Sequence, residues 1–218
     1  MAGTAHSPGS AHGCTALDAM GPFEMLSHLP DARIRWVSPA GGRVGNDNQM
    51  LHLDTLALSE VPAPDVIVVA GGLSTRRYLG NAQLLAWLRA ASETAIWTTS
   101  VCTGALLLGA AGLLEGRRAT THWCELAALA DYGSTPVSER VVEDGAVMTA
   151  AGVSAGIDMA LTLAGRLAGD HTAQLLTLAT GYAPQPPYDT GTTAPDHLVV
   201  LVREAMYDRY RADGAQTS

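Results

Sequence analysis

The segment 65–72 constrains the fold more than any other part of the chain, because it is a short β-branched apolar run that ends in Gly71 and Gly72. Such a run is typical of a strand buried on both faces of a parallel sheet, and the glycines predict a tight turn after it. Apolar residues then recur at helical spacing over 81–91, and the next strand candidate covers 95–101. The order strand, helix, strand predicts parallel strands joined by a helix that packs on the sheet.

The rest of the chain continues this alternation. Two apolar segments flank the turn sequence at 143–145 and predict a hairpin, and an alanine- and leucine-rich helix is expected to end near Gly116 in a left-handed cap. The predicted helices cover 103–114, 123–130, 156–167, 171–180 and 195–210, and the hairpin strands cover 137–142 and 146–150. We therefore predict a three-layer α/β sandwich with a mostly parallel central sheet, whose ligands bind beyond the carboxyl ends of the strands.

Length and charge exclude several classes of protein. The 218 residues favour one domain, which we predict over 15–212, between an atypical, flexible N-terminus (1–14) and a short tail (213–218). A formal net charge of -8 disfavours nucleic-acid binding, which needs clustered lysine and arginine. No apolar run is long enough to span a membrane and no signal peptide is visible, so we expect a soluble, cytoplasmic protein.

The three cysteines differ in their settings. Cys14, Cys102 and Cys124 are an odd number without the spacing of a metal site, so we expect reduced thiols, no metal and no cofactor. Cys14 lies in a stretch rich in glycine and serine and Cys124 in a predicted helix, and both are expected to be structural. Cys102 alone lies between a predicted strand and a predicted helix, where the carboxyl ends of the strands meet.

The residues around Cys102 predict a nucleophile elbow. A nucleophile on a strand-to-helix turn needs small neighbours where the backbone bends, and the sequence SVCTG at 100–104 supplies them. A thiol at a helix start also feels the positive end of the helix dipole, which predicts a pKa below the usual value of roughly 8.5. The alternative is that Cys102 is a buried apolar residue, since free cysteines are often buried.

A thiol nucleophile needs a group that carries protons, and three residues are candidates. Asp18 and Glu24 lie in the early acidic segment, where Asp18 is equally suited to the N-cap of a helix. His122 offers a cysteine–histidine pair, but a histidine beside two threonines and a tryptophan is more often a hydrogen-bonded structural residue. Spacing by itself leaves the choice between these roles open.

Six short strings together resemble a known family. They are LDAMGPFE at 17–24, AGG at 70–72, TSVCTG at 99–104, RATTHW at 118–123, GVSAGID at 152–158 and YAPQPPY at 182–188. In this order and at this spacing they are similar to the ThiJ/PfpI superfamily, whose sandwich is flavodoxin-like, and within it to the isocyanide hydratases.

The resemblance implies an activity and a set of site residues. In an isocyanide hydratase the elbow cysteine, here Cys102, attacks the terminal carbon of R–NC to form a thioimidate, which water converts into an N-formamide. The resemblance assigns Asp18 as general acid and base, Thr103 as the residue that positions thiol and substrate, and Gly72 and Val153 as substrate-binding or charge-stabilising residues. The Gly72 amide would face the thiol and stabilise developing charge. The resemblance also implies a homodimer. Few charges surround the six strings, and the supply of Leu, Val, Ala and Trp suits a compact apolar pocket for a neutral isocyanide.

Two alternatives follow from the same strings. Peptidase-like and glyoxalase-like branches carry histidine or alanine after the cysteine and glutamate at the early acidic position, so Thr103 and Asp18 favour the hydratase branch. Amidase-like domains of transcription regulators share the strings around Cys102, so the second candidate is a ligand- or oxidation-sensing domain. The chain ends at Ser218 without room for a helix-turn-helix domain, which disfavours a DNA-binding regulator.

The chain departs from the family pattern at two places. Members begin with an apolar strand before the acidic residue, whereas residues 1–10 have almost no strand character. Loss of that strand would loosen the loop that bears Asp18. Gly181 also stands where a larger polar residue is expected, which predicts a difference in the pocket or at the dimer surface.

Overall fold

The computed structural model describes residues 2–4, 13–191 and 194–215, and within them the chain forms a mixed sheet with helices on both faces. The sheet strands are β1 (Ala2–Thr4), β2 (Arg35–Ser38), β3 (Ala40–Gly45), β4 (His52–Ala57), β5 (Val66–Val69), β6 (Trp97–Val101), β9 (Val141–Asp144) and β10 (Val147–Ala150), while β7 (Arg118–Ala119) and β8 (Thr135–Pro136) pair separately. The sheet has the order β3-β4-β2-β1-β5-β6-β10-β9. Among these pairings, β3–β4 and β9–β10 at the two edges are antiparallel and the rest are parallel.

The helices lie between these strands in the chain. They are α1 (Ala16–Leu26), α2 (Thr75–Tyr78), α3 (Ala82–Ser92), α4 (Gly104–Ala110), α5 (Ala155–Ala168), α6 (Asp170–Ala179) and α7 (Asp196–Ala215), with 3-10 helices at Leu58–Glu60 and Trp123–Tyr132. None of the helices in the described segments is long and apolar enough to cross a membrane. The predicted α/β architecture with a mostly parallel sheet is confirmed.

The two faces of β5 explain the three layers. Because side chains alternate along a strand, Val66 and Val68 enter one apolar cluster while Ile67 and Val69 enter the other. The first cluster contains residues of α1, α5 and α6, and the second contains residues of α3 and α4. The uninterrupted apolar run is therefore the sequence signature of a strand covered by helices on both sides.

The N-terminus corrects the expectation drawn from its sequence. Ala2–Thr4 forms β1, which pairs in parallel with β2 on one side and with β5 on the other. A slot between two strands offers backbone hydrogen bonds on both edges, and this outweighs a weak strand propensity. The rest of the predicted flexible segment, apart from residues 13 and 14, lies outside the described residues.

Two helix ends differ from the predicted ones by more than two residues. Helix α4 ends at Ala110 rather than near Gly116, because Gly112 already has a φ of 79°, a left-handed value that ends the helix. Helix α7 continues to Ala215, past the predicted end of the domain at residue 212. The single-domain boundary itself stays a prediction.

The structure gives a local reason for a glycine at position 181, which the sequence pattern did not reveal. It follows the end of α6 with a φ of 61°, its N–H donates to the Leu178 carbonyl at 3.1 Å, and the next N–H, of Tyr182, reaches the Thr177 carbonyl at 3.0 Å. These contacts satisfy the last carbonyls of α6 and require a left-handed residue. A larger polar side chain at this position would strain that turn.

Candidate active site at the carboxyl end of the sheet

Cys102 occupies the turn between β6 and α4 in a left-handed conformation, with a φ of 56°. Its N–H donates to the Ala150 carbonyl at 3.0 Å, and its own carbonyl accepts a hydrogen bond from Thr121 Oγ1 at 2.7 Å. A non-glycine residue in this conformation costs on the order of 1 kcal/mol, so contacts on both sides must hold it there. The predicted elbow is therefore present and is fastened to β10 and to the segment before the second 3-10 helix.

The turns after β5 and β6 touch through their backbones. A Cβ atom on Gly104 would lie 2.1 Å from the Val69 carbonyl oxygen, and one on Gly71 would lie 2.5 Å from the Thr103 nitrogen. Neither approach is compatible with a side chain at the glycine position. The glycines at these two turns let the loop that follows β5 reach the elbow.

Thr103 joins the two turns through its hydroxyl group. Its Oγ1 accepts a hydrogen bond from the Gly72 N–H at 2.9 Å and lies 2.9 Å from Thr75 Oγ1. The Gly72 N–H thus donates to the Thr103 hydroxyl, a contact that sequence spacing does not predict. Stabilisation of charge at the thiol by Gly72 stays a prediction.

Asp18 lies within α1 and is fully buried. The N-cap of α1 is Thr15, so the alternative role of Asp18 as a helix cap is wrong. Asp18 Oδ2 accepts a hydrogen bond from the Gly71 N–H at 3.1 Å, whereas no described residue completes a hydrogen bond of ordinary geometry to Oδ1. Burial raises the pKa of the Asp18 carboxyl to about 7, although the Gly71 bond acts in the opposite direction.

Cys102 and Asp18 form an interacting pair. The Cys102 side chain is buried, and burial followed by the charge of Asp18 raises the pKa of the thiol well above its usual value. The expectation of a lowered pKa is wrong because desolvation outweighs the backbone amide of Thr103, which acts in the opposite direction. The raised pKa favours the protonated thiol, and the Asp18 carboxyl is an ionisable group that interacts with it.

The other candidates from the sequence lie in structural roles. Glu24 is exposed and approaches His28 at 3.5 Å on the surface of α1. His122 caps the second 3-10 helix, where its Nδ1 accepts the Cys124 N–H at 3.4 Å, and burial lowers its pKa. Cys14 is buried, and burial raises its pKa to about 12. These contacts favour the structural interpretation for each of them.

Several site residues were not identified from the sequence. The Gly71 N–H donates to Asp18, and the Thr75 hydroxyl contacts the Thr103 hydroxyl. The Thr121 hydroxyl donates to the Cys102 carbonyl. Gly71 and Thr121 fall within the six strings, which could therefore have identified them as site residues. The hydrogen-bond partners of these two residues depend on the folded backbone. Val153, between β10 and α5, packs against the apolar cluster that contains Cys102.

An apolar pocket of about 480 Å³, part of it open to solvent, lies between the start of α1 and the β3–β4 hairpin. Its walls come from the start of α1 and from the β3–β4 hairpin: Cys14, Ala16, Ala19, Met20, Val44, Gly45, Asn46, Leu51, His52 and Leu53. Neither Cys102 nor Asp18 lines it, although its wall includes Ala19, the chain neighbour of Asp18. The described residues hold no group of three or more His, Cys, Asp or Glu side chains placed to bind a metal.

Comparison with known proteins decides the family. The sequence model of the DJ-1/PfpI family matches residues 10–166, a span that contains Asp18, Gly71, Cys102 and Val153. The chain belongs to the DJ-1/PfpI family. It is 44% identical over 190 residues to isonitrile hydratase from Pseudomonas putida, covering 86% of this chain and 83% of that relative.

Two further proteins are similar to this chain. A ThiJ/PfpI family protein from Pseudomonas syringae has a crystal structure that superposes with a TM-score of 0.89 at 33% identity, covering 97% of this chain and 87% of that one. The HTH-type transcriptional regulator CdhR from Pseudomonas aeruginosa is 32% identical over 161 residues, which are 72% of this chain and 48% of the regulator. The resemblance to the ThiJ/PfpI superfamily, read from the six strings, is confirmed.

Proposed function

We propose that this chain is an isocyanide hydratase, which converts R–NC and water into an N-formamide with Cys102 as nucleophile and Asp18 as general acid and base. The observation that carries the proposal is the buried carboxyl of Asp18, with a pKa of about 7, held against the thiol of the Cys102 elbow. A carboxyl that titrates near neutral pH can both accept and return a proton. The 44% identity to isonitrile hydratase supports the choice of substrate class.

The first half of the reaction uses the thiol proton. The Asp18 carboxylate takes the proton from Cys102 as the sulfur forms a bond to the terminal carbon of the isocyanide. Asp18 then returns this proton to the same carbon, which leaves a neutral thioimidate, Cys102–S–CH=N–R, and a carboxylate. The Thr103 hydroxyl ties the elbow to the turn after β5 by its hydrogen bond with Gly72, so Thr103 acts as a positioning residue in this step.

The second half consumes one water molecule. The Asp18 carboxylate takes a proton from water while the water oxygen adds to the thioimidate carbon and the nitrogen gains a proton. The carbon–sulfur bond then breaks, and the N-formamide R–NH–CHO leaves. The two hydrogens of the water end on the nitrogen and on the Cys102 sulfur, so the resting thiol is restored.

A sensing domain is the second candidate, because CdhR contains a region similar to this chain. An oxidation sensor needs an accessible thiolate, whereas Cys102 is 4% exposed and burial raises the pKa of its thiol. This environment favours a thiol that is activated by Asp18 only when a substrate is bound. It therefore favours the hydratase over the sensor.

Turnover by the wild-type protein tests the proposal. We expect purified protein to convert an aryl and an alkyl isocyanide into their N-formamides at a rate of at least about 1 per second. Chromatography against authentic standards measures the product. Absence of N-formamide with both substrates would sink the hydratase assignment. Reversible sulfenylation of Cys102 by peroxide without turnover would instead support the sensor.

We also propose a homodimer located in the cytoplasm, where the three free cysteines stay reduced. Leu17 on α1 and the pair Met50 and Leu51 near the β3–β4 turn are exposed apolar side chains beside the apolar pocket. Burying them against a second copy would remove them from water. Light scattering should give twice the 22.6 kDa of one chain, and a mass of one chain at micromolar concentration would contradict the dimer.

A further inference from the structure

The loop between β3 and β4 contributes a carboxyl group to the turn after β5. Asp47 Oδ1 accepts a hydrogen bond from the Leu73 N–H at 3.1 Å, and a Cβ atom on Gly72 would lie 3.0 Å from the same oxygen. The Gly72 N–H in turn donates to the hydroxyl of Thr103, the chain neighbour of Cys102. The Asp47 carboxyl therefore lies against the turn that contacts the elbow.

The second oxygen of the same carboxyl reaches the start of α1. Asp47 Oδ2 accepts a hydrogen bond from the Thr15 hydroxyl at 2.6 Å, and the Asp47 N–H donates to the Cys14 carbonyl at 3.1 Å. Thr15 is the N-cap of α1, where a threonine side chain ordinarily accepts a hydrogen bond from the first turn, yet it makes no such bond. The Thr15 hydroxyl is instead donated to Asp47.

These contacts bear on Asp18, which lies in the first turn of α1. The Thr15 N–H donates to the Gly71 carbonyl at 2.9 Å, and the Gly71 N–H donates to Asp18 Oδ2 at 3.1 Å. The start of α1 and the glycine turn are thus joined twice directly, and Asp47 joins them again through its two oxygens. The carboxyl that carries protons in the proposed reaction is therefore held by a set of links that includes Asp47.

The loop that bears Asp47 is itself closed by hydrogen bonds. The Asn46 N–H donates to the Leu51 carbonyl at 2.9 Å, and Asn46 Oδ1 accepts the N–H groups of Met50 and Leu51 at 3.1 and 3.0 Å. An asparagine side chain that satisfies backbone donors in this way fixes a short loop. The loop can therefore hold the Asp47 carboxyl at a defined place between α1 and the glycine turn.

The charge of Asp47 also acts on Asp18. Both Asp47 oxygens accept hydrogen bonds, as those of a carboxylate do. Burial is the main cause of the raised pKa of Asp18, and the negative charge of Asp47 acts in the same direction. Two further titratable groups face Asp18. A hydrogen bond with Cys102 lowers the pKa of Asp18, and burial followed by the charges of Asp18 and Asp47 raises the pKa of Cys14.

We propose that Asp47 is a positioning residue of the candidate active site, whose carboxylate joins the start of α1 to the glycine turn after β5 and thereby seats Asp18 at the Cys102 elbow. The inference rests on the proposed hydratase function and deepens it. In this role Asp47 acts through Asp18 and exchanges no proton with the substrate.

Thr15→Val tests the hydrogen bond and leaves the charge of Asp47 in place. Valine has nearly the shape of threonine without the hydroxyl, so Asp47 Oδ2 loses the Thr15 donor. We expect kcat for N-formamide formation to fall about 10-fold with little change in KM, because Asp18 is held less exactly. Thr15→Ser keeps the hydroxyl and should restore most of kcat. Wild-type kcat in Thr15→Val, or equal losses in both variants, would overturn the positioning role.

Asp47→Asn tests the charge. The asparagine oxygen can still accept the Leu73 N–H and its amide can donate to the Thr15 hydroxyl, so the links between the two segments persist. Removal of the negative charge should lower the pKa of Asp18 and move the acidic midpoint of the profile of kcat/KM against pH down by about half a unit. Asp54→Asn removes the same charge at an exposed position on β4 and should leave the midpoint in place. An unmoved midpoint in Asp47→Asn, or an equal shift in Asp54→Asn, would overturn the action of Asp47 on Asp18.

A carboxyl titration separates this inference from the function on which it rests. The NMR signal of the Asp18 carboxyl carbon, assigned by its loss in Asp18→Asn, titrates without any turnover. Its midpoint should lie near pH 7 in the wild type and lower in Asp47→Asn. A lower midpoint in Asp47→Asn, with a wild type that converts no isocyanide, would overturn the hydratase role and leave the action of Asp47 on Asp18. Isocyanide turnover with the same midpoint in both proteins would overturn the inference and leave the hydratase.

Discussion

Cys102→Ala is expected to abolish N-formamide formation, with kcat reduced by about four orders of magnitude or more. The side chain that forms the covalent bond to the isocyanide carbon is lost, and the covalent thioimidate route disappears with it. Alanine keeps the Cβ atom and the backbone contacts to Ala150 and Thr121, so the elbow should persist. Product formation by chromatography and circular dichroism of the variant give the two measurements.

A second buried thiol provides the matched control for this prediction. Cys14 is 3% exposed, close to the 4% of Cys102, but it does not lie at the elbow. Cys14→Ala should therefore retain most of the wild-type kcat. If Cys102→Ala kept its activity, or if both variants lost it equally, the assignment of Cys102 as nucleophile would be wrong.

Asp18→Asn is expected to lower kcat by about 1000-fold while raising the stability of the fold. The amide keeps the shape of the carboxyl and its oxygen can still accept the Gly71 N–H, but it cannot take the proton from Cys102 or from water. Loss of turnover with an unchanged fold would separate proton transfer from packing. A variant with wild-type kcat would leave Cys102 as nucleophile and exclude Asp18 as proton carrier.

The stability effect follows from the pKa of Asp18. In the unfolded chain the carboxyl titrates near 3.8, and in the folded protein burial raises its pKa to about 7. At about pH 2 and below, the carboxyl is neutral in both states and adds no cost. As the pH rises from about 4 to 7, the unfolded state gains more from ionisation, so wild-type stability falls, by about 4 kcal/mol at most above pH 7.

The asparagine side chain of the Asp18→Asn variant cannot ionise, so the variant escapes this loss. Urea unfolding should find Asp18→Asn more stable than wild type at pH 8, with the difference shrinking as the pH falls towards 4. Asp54→Asn, at an exposed position on β4, is the control and should change little at either pH. Equal stability of wild type and Asp18→Asn at pH 8 would contradict the raised pKa of Asp18.

The strands and helices were predictable where the pattern is local. The run at 66–69 predicted β5 because four β-branched apolar residues can be buried on both faces only inside a covered sheet. The hairpin around Gly145 was predicted because glycine suits a turn, and Gly145 has a φ of 62° there. Its first strand is Val141–Asp144 rather than the predicted 137–142. Strand β1 was missed because its pairing depends on β2 and β5, which lie far from it in the chain.

The sequence by itself determined the fold class, the family and the placement of Cys102 at a turn between strand and helix, since these follow from local pattern and from the order of short strings. Only the tertiary structure decided which groups surround the thiol. It places the Gly71 amide against Asp18 and the Gly72 amide against Thr103, and it buries Cys102 and Asp18 so that their pKa values rise. Burial and hydrogen-bond partners depend on the packing of segments far apart in the chain, which local pattern does not contain.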